Sequence, residues 1–265
     1  MPENTETVII PDPTGVVVNP SVIVPEEDMR SWRSYCHSGA IYACMDILRT
    51  AIPYAQQGHP RAMFLIGYLL RFGVKSIKQG ENYLNPDRKA ALPWLIKAYE
   101  GGEKEAYNHV LEIYEALSGP EGEGLVYEEK LNAWLELGLE KDEVLAYSRL
   151  FYRYKEAQDW TKAFPLLVKL AEFFGENQSR LELAQWYEEG KGCEKKPKKA
   201  FELAEYVYNH SSAISYDSVD PEEAADLLVR YLYDGIGCEA DPERADKIRR
   251  HLREEDEYLD EVMTR

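Results

Sequence analysis

Five histidines, four cysteines and several carboxylate pairs are the side chains of this sequence with the types to do chemistry. The histidines, His37, His59, His109, His210 and His251, are widely dispersed. None forms an H-x-x-x-H pair or an H-E-x-x-H motif, and no C-x-x-C exists, so neither a zinc site nor any other cofactor is expected. Cys36 beside His37 has the types of a thiol nucleophile and its base. Sequence neighbours leave a helix about 100° apart, however, and a buried cysteine next to a surface histidine is the expected arrangement. Carboxylate pairs recur at Glu128-Glu129, Glu188-Glu189, Glu222-Glu223 and Glu254-Glu255. General acid–base work needs one carboxyl in a desolvated pocket, and nothing in the sequence marks one. Solvated helix faces account for these pairs, and no enzymatic activity is expected.

One glycine-rich stretch has the look of a phosphate loop. Residues 190–196 read GKGCEKK. The spacing differs from G-x-x-x-x-G-K-[ST], and the stretch joins helix to helix rather than strand to helix. Its lysines, Lys191, Lys195, Lys196, Lys198 and Lys199, form the one basic cluster and are read mainly as a solvated surface.

The elements that would position these groups are helices. Hydrophobic residues make up 45% and charged residues 30% of the chain, a composition that supports a packed core. The formal net charge is -17, concentrated in two segments. Residues 100–145 hold 13 acids and 3 bases, and residues 220–265 hold 15 acids and 7 bases. Such a surface disfavours nucleic acid and favours a protein partner with a basic face. No apolar run has the roughly 18 residues of a membrane span. The opening 25 residues have no Lys or Arg and are broken by Pro11, Pro13, Pro20 and Pro25, unlike a signal peptide, so a cytoplasmic protein is expected.

Residues 1–27 are predicted to be an extended or disordered arm. Prolines exclude a continuous helix, and Val8-Ile9-Ile10, Val16-Val17-Val18 and Val22-Ile23-Val24 favour extended chain. From residue 28 to 265 the spacing becomes helical. Ala200, Leu203, Ala204, Val207 and Tyr208 form a full apolar stripe. Strand-like alternation is nearly absent there, so the class is all-α.

Two connectors then spell the same turn 45 positions apart, GKGCEKKPKKA at 190–200 and GIGCEADPERA at 235–245. Gly190, Gly192, Gly235 and Gly237 suit left-handed helix ends. Cys193 and Cys238 supply a small apolar side chain under the turn. Pro197 and Pro242 suit the start of the next helix, and Ala200 and Ala245 permit close packing. A repeated helix pair is how a solenoid builds a continuous core.

Overlaying LELAQWYEEGKGCEKKPKKAFELAEYV on DLLVRYLYDGIGCEADPERADKIRRHL gives a pattern that resembles the Sel-one-like repeat family, relatives of the tetratricopeptide repeat. Leu183, Tyr187, Gly190, Gly192 and Lys199-Ala200 match, as do Leu228, Gly235, Gly237 and Arg244-Ala245, with Cys193 and Cys238 where that family has Val. Ala62, Ile66-Gly67, Leu70 and Gly73 fit an earlier first helix, and Lys89-Ala90 a second, across a loop seven residues longer than in the late copies. YRYKEAQDWTKAFPLLVKLAEFF reads like a tetratricopeptide hairpin, with Asp159-Trp160 at the turn and Ala163 at the close contact. REEDEYLDEVM is expected to form a terminal cap.

The resemblance implies an α/α superhelical solenoid of about five helix pairs acting as a protein-interaction scaffold or adaptor. The charge sharpens this to an acidic binding surface, such as an immunity-type neutraliser of a basic toxin or effector. The alternatives are a concealed hydrolase site or a homo-oligomer assembled through the arm. Aromatic anchors for a partner, placed on the first helices of the pairs, would come from Tyr68, Tyr107, Tyr114, Tyr147, Tyr154, Tyr231 and Tyr233. Deleting residues 1–27 and measuring mass in solution tests the assembly alternative: an oligomer dissociates, whereas an arm folded on its own chain leaves the mass per particle unchanged apart from the deletion.

Overall fold

The computed structural model describes residues 10–38, 44–75, 82–119, 124–210 and 220–263. Two compact units divide the chain, Met1–Trp134 and Leu135–Arg265. The first contains α1 (Glu26–Ser38), α2 (Cys44–Gln56), α3 (Pro60–Phe72), β1 (Val74–Lys75), β2 (Asn82–Leu84), α4 (Arg88–Glu100), α5 (Glu105–Leu117) and most of α6 (Gly124–Glu140). The second contains α7 (Val144–Glu156), α8 (Trp160–Val168), a π-helical turn over Lys169–Phe173, α9 (Asn177–Glu189), α10 (Pro197–His210), α11 (Pro221–Asp234) and α12 (Pro242–Met263).

In the first unit, α3 and α4 pack so closely that a Cβ on Gly67 would lie 2.6 Å from Leu95 Cγ. Phe64, Leu65, Ile66 and Leu69 of α3 are buried with Trp94 and Leu95 of α4, and this apolar burial holds the pair together. His59 and Asp87 cap α3 and α4, their side chains accepting from the amides of Ala62 and Ala90. Arg61 is buried, and hydrogen bonds of 3.0 and 3.1 Å to Glu105 and Glu103 fasten the start of α3 to the α4–α5 turn. Burial alone would lower its pKa, but the hydrogen bond and charge of Glu105, with those of Glu103, outweigh that and raise it. The long loop after Gly73 is not wholly irregular. β1 and β2 pair antiparallel within it, two strands too short to register as alternation in the sequence.

Residues 10–25 form an extended arm, and helix begins at Glu26. Its side chains alternate: Val16 and Val18 are half-buried while Val17 is exposed, and Val22 and Val24 flank exposed Ile23 in the same way. The arm is fixed through its backbone. Asn19 N donates to Gly58 O at 2.8 Å, and Lys97 Nζ donates to Val16 O at 2.5 Å. This part of the arm therefore lies on its own unit. Residues 1–9, with Val8-Ile9, are outside the described residues.

The second unit shows why one turn is spelt twice. Gly190 and Gly235 end α9 and α11 in the left-handed conformation, with φ of 74° and 66°. Two amides then converge on one carbonyl in each copy, Gly190 and Lys191 on Trp186 O, and Gly235 and Ile236 on Tyr231 O. Cys193 Sγ donates to Trp186 O at 3.7 Å, and Cys238 Sγ to Tyr231 O at 3.6 Å. Lys196 N and Asp241 N close the loops onto Tyr187 O and Leu232 O. Gly192 and Gly237 have a second duty. A Cβ on Gly192 would lie 2.9 Å from the carbonyl carbon of Trp160, at the start of α8, and one on Gly237 would lie 2.9 Å from Lys198 N, at the start of α10. Each turn is thus seated on the second helix of the preceding pair. Ala163, Ala200 and Ala245 are fully buried at the equivalent close contacts. Phe151, Leu167, Leu181, Trp186, Tyr187 and Tyr231 lie in the larger core, and Leu228, Val229, Leu232 and Ile248 in a second cluster between α11 and α12.

At the C-terminal end REEDEYLDEVM continues α12, which no Gly or Pro interrupts after Pro242 and which runs unbroken to Met263. Most side chains of that stretch are outside the described residues.

Gly237→Ala should lower the melting temperature more than Gly102→Ala. Gly102 also has positive φ, 100°, but a Cβ there would meet nothing within 4 Å, so its cost is the left-handed penalty of roughly 1–2 kcal/mol alone. Gly237→Ala adds a backbone collision to that penalty. Thermal melts of the two variants check the order.

Candidate partner-binding groove

Among the described residues, the side chains that could do chemistry stay apart. His59 caps α3, His210 stacks on Tyr206 with ring centroids 4.1 Å apart, and His251 is exposed on α12. His109 packs against Phe64, Tyr68 and Phe72 and accepts a hydrogen bond from Arg71. Burial, then the neighbouring Arg71 charge, holds its pKa down to about 4, so its ring is neutral near pH 7. The side chains of Cys36 and His37 lie outside those described. Burial pushes the thiols of Cys193 and Cys238 up, which makes them poor nucleophiles. Among the described residues no three His, Cys, Asp or Glu side chains converge as metal ligands would.

What does converge is a polar groove on the second unit, about 310 Å³ in volume. Lys155 of α7, Gln178, Glu182, Gln185 and Glu189 of α9, and Glu223 of α11 line it, with Trp186 and Lys191 at one side. The α9 residues stand at i, i+4, i+7 and i+11, which places them on one helix face, opposite the apolar Leu183 and Tyr187. Cross-helix bonds brace the surface: Lys155 to Glu182 at 2.6 Å, Gln178 to Glu223 at 3.3 Å, and Arg230 to Glu188 through two bonds of 2.6 Å. The chemistry on offer is amides that both donate and accept, beside exposed carboxylates at Glu189 and Glu223.

The tyrosines proposed as anchors divide. Tyr107, Tyr114 and Tyr231 are corrected to packing residues, because each is buried and has no ring face to offer a partner. Tyr107 and Trp134 exchange hydrogen bonds through side chain and backbone while their rings stack. Tyr231 lies beside Glu188, and burial together with that charge pushes its ionisation up. Tyr68, Tyr147, Tyr154 and Tyr233 are half-buried. Tyr147 bonds Leu139 O and Asp142, and Tyr233 bonds Asp246 at 2.5 Å. In the sequence, the groove residues had one available signal, the row of polar side chains along α9. It reads as ordinary solvated helix until α7 and α11 are placed on either side.

No family model matches the chain, and no curated protein matches it. Solved structures do. A Sel1 repeat protein from Oxalobacter formigenes superposes with a TM-score of 0.58 at 20% identity, covering 83% of this chain and 82% of that one. The chain has the Sel1-repeat fold. A protective antigen present in uropathogenic Escherichia coli strains, displaying an SLR fold, gives a TM-score of 0.47 at 19% identity, over 81% of this chain and 46% of that one. Within the Sel1-repeat fold of this chain, α9 and α11 are first helices of their pairs and carry most of the groove. No described helix is long and apolar enough to cross a membrane.

Arg230 holds the Glu188 carboxyl below the usual carboxylate range, chiefly by hydrogen bonding. The pair therefore stabilises the fold above that range, and this stabilisation is lost as pH falls through the lowered folded value. Melting temperatures measured from about pH 5 to about pH 3 should fall for the wild type, and fall less for Glu188→Gln.

Proposed function

We propose that this protein is a non-catalytic interaction scaffold whose second unit binds an extended, basic segment of another protein along the groove over α7, α9 and α11. The observation that carries this reading is the pairing of amides with carboxylates on one surface spanning three helices. Gln178 and Gln185 can satisfy peptide N–H and C=O groups, which an extended segment leaves available. Glu189 and Glu223 supply charge for Lys or Arg side chains. Helices pack about 8–10 Å apart, so three of them span about 20 Å. That matches about six residues of extended chain at about 3.3 Å each.

The net charge of -17 supports the same partner chemistry, since an acidic surface speeds the approach of a basic protein. Neutralising a cationic effector is one use of such a surface. The half-buried Tyr68, Tyr147, Tyr154 and Tyr233 supply further contacts on the two units.

Fluorescence anisotropy with a labelled Lys/Arg-rich peptide tests the reading. Binding should weaken as salt rises, and the double variant Glu189→Lys, Glu223→Lys should bind about tenfold more weakly, ~1.4 kcal/mol. Affinity that is insensitive to both salt and charge reversal would sink it.

A further inference from the structure

Lys191 occupies an unusual position at the edge of this groove. Trp160, at the start of α8, and Trp186, near the end of α9, meet at 90° with ring centroids 5.6 Å apart. The Lys191 ammonium sits in the corner between them, 4.0 Å from the Trp160 centroid and 5.0 Å from that of Trp186. Tryptophan is the strongest aromatic partner for a cation, and here one cation meets two rings.

The turn does not require that lysine. The corresponding residue in the next copy is Ile236, between Gly235 and Gly237, and the same hydrogen bonds form there. Gly190 and Gly192 fix the backbone on either side, with φ of 74° and 67°, so the turn keeps its shape whichever side chain stands between them. The space in front of Lys191 is the groove itself, lined beside it by Trp186, Glu182, Glu189 and Glu223. Lysine has a long flexible stem and a strongly hydrated head, so swinging it into water leaves the aromatic corner open without disturbing the turn.

We infer that the Trp160–Trp186 corner is a cation subsite of the groove, filled in the free protein by Lys191 and taken over by a Lys or Arg side chain of the bound segment. The inference rests on the peptide-binding reading above and adds to it an internal competitor. The incoming cation takes the place beside the two rings that Lys191 leaves, and the carboxylates of Glu189 and Glu223 line the same groove. Lys191 meanwhile lowers the apparent affinity by the fraction of time it holds the corner. It also raises selectivity, because a segment with no cation at that place cannot replace what it displaces.

The test compares full-length wild type with Lys191→Met and Lys191→Arg, each first checked for an unchanged helical spectrum and melting point. Lys191→Met keeps the stem and removes the cation, whereas Lys191→Arg keeps the corner filled. A labelled Lys/Arg-rich peptide should bind Lys191→Met about 3- to 10-fold tighter than wild type, with no such gain for Lys191→Arg. Equal or weaker binding to Lys191→Met overturns the inference while leaving the groove reading intact. A second titration reads the corner without the peptide. Tetramethylammonium chloride, against a sodium chloride control of equal ionic strength, should change tryptophan fluorescence in Lys191→Met at lower concentration than in wild type. If no form binds the peptide, the groove reading fails. The same tetramethylammonium response in both proteins overturns the cation subsite by itself.

Discussion

The constraint on which the second unit depends is the contact of each inter-helix turn with the backbone of the pair before it. Gly192 lies against the start of α8 and Gly237 against the start of α10, with no room for a side chain at either place. Backbone meeting backbone fixes spacing more tightly than side-chain packing does, because neither surface can change rotamer. The alanines at the equivalent close contacts and the thiols under the turns follow from that spacing. In the first unit the close contact is with a side chain instead: a Cβ on Gly101 would lie 2.7 Å from Pro60 Cβ, at the start of α3.

The groove is a product of the same constraint. Turns seated at one edge bring α7, α9 and α11 side by side, and their outward faces form one surface. The bonds across it are polar and partly exposed, each worth little alone. Their effect is positional, since Gln178, Glu182 and Glu188 are each held by a neighbouring helix. The interior under the groove is apolar, and Trp186 belongs to both, buried in the core and part of the lining.

The helical class and the late turns were legible because glycine at a left-handed position and a small residue beneath it are local requirements, visible at fixed spacing in 190–200 and 235–245. The hairpin of β1 and β2 was not, because two- and three-residue strands leave no periodicity to detect. Buried tyrosines were the other failure. Tyr107 and Tyr231 have the sequence setting of surface anchors on first helices. Only the third dimension shows that their hydroxyls end inside the unit, near Trp134 and Glu188. The groove needed three helices at once, and a row of polar residues on α9 alone has no distinguishing mark.

The N-terminal arm bears on the order of events during synthesis. Val16 leaves the ribosome 81 residues before Lys97, the side chain that holds its carbonyl. At about 5–20 residues per second that interval is about 4–16 s. Gly58 appears earlier, so the Asn19 contact can form while Val16 still waits for α4. This part of the arm is therefore made before α4 and is fully seated only after it. Until then its alternating valines are exposed β-prone chain, open to pairing with other nascent chains, and Pro11, Pro13, Pro20 and Pro25 interrupt the donors that such pairing would need.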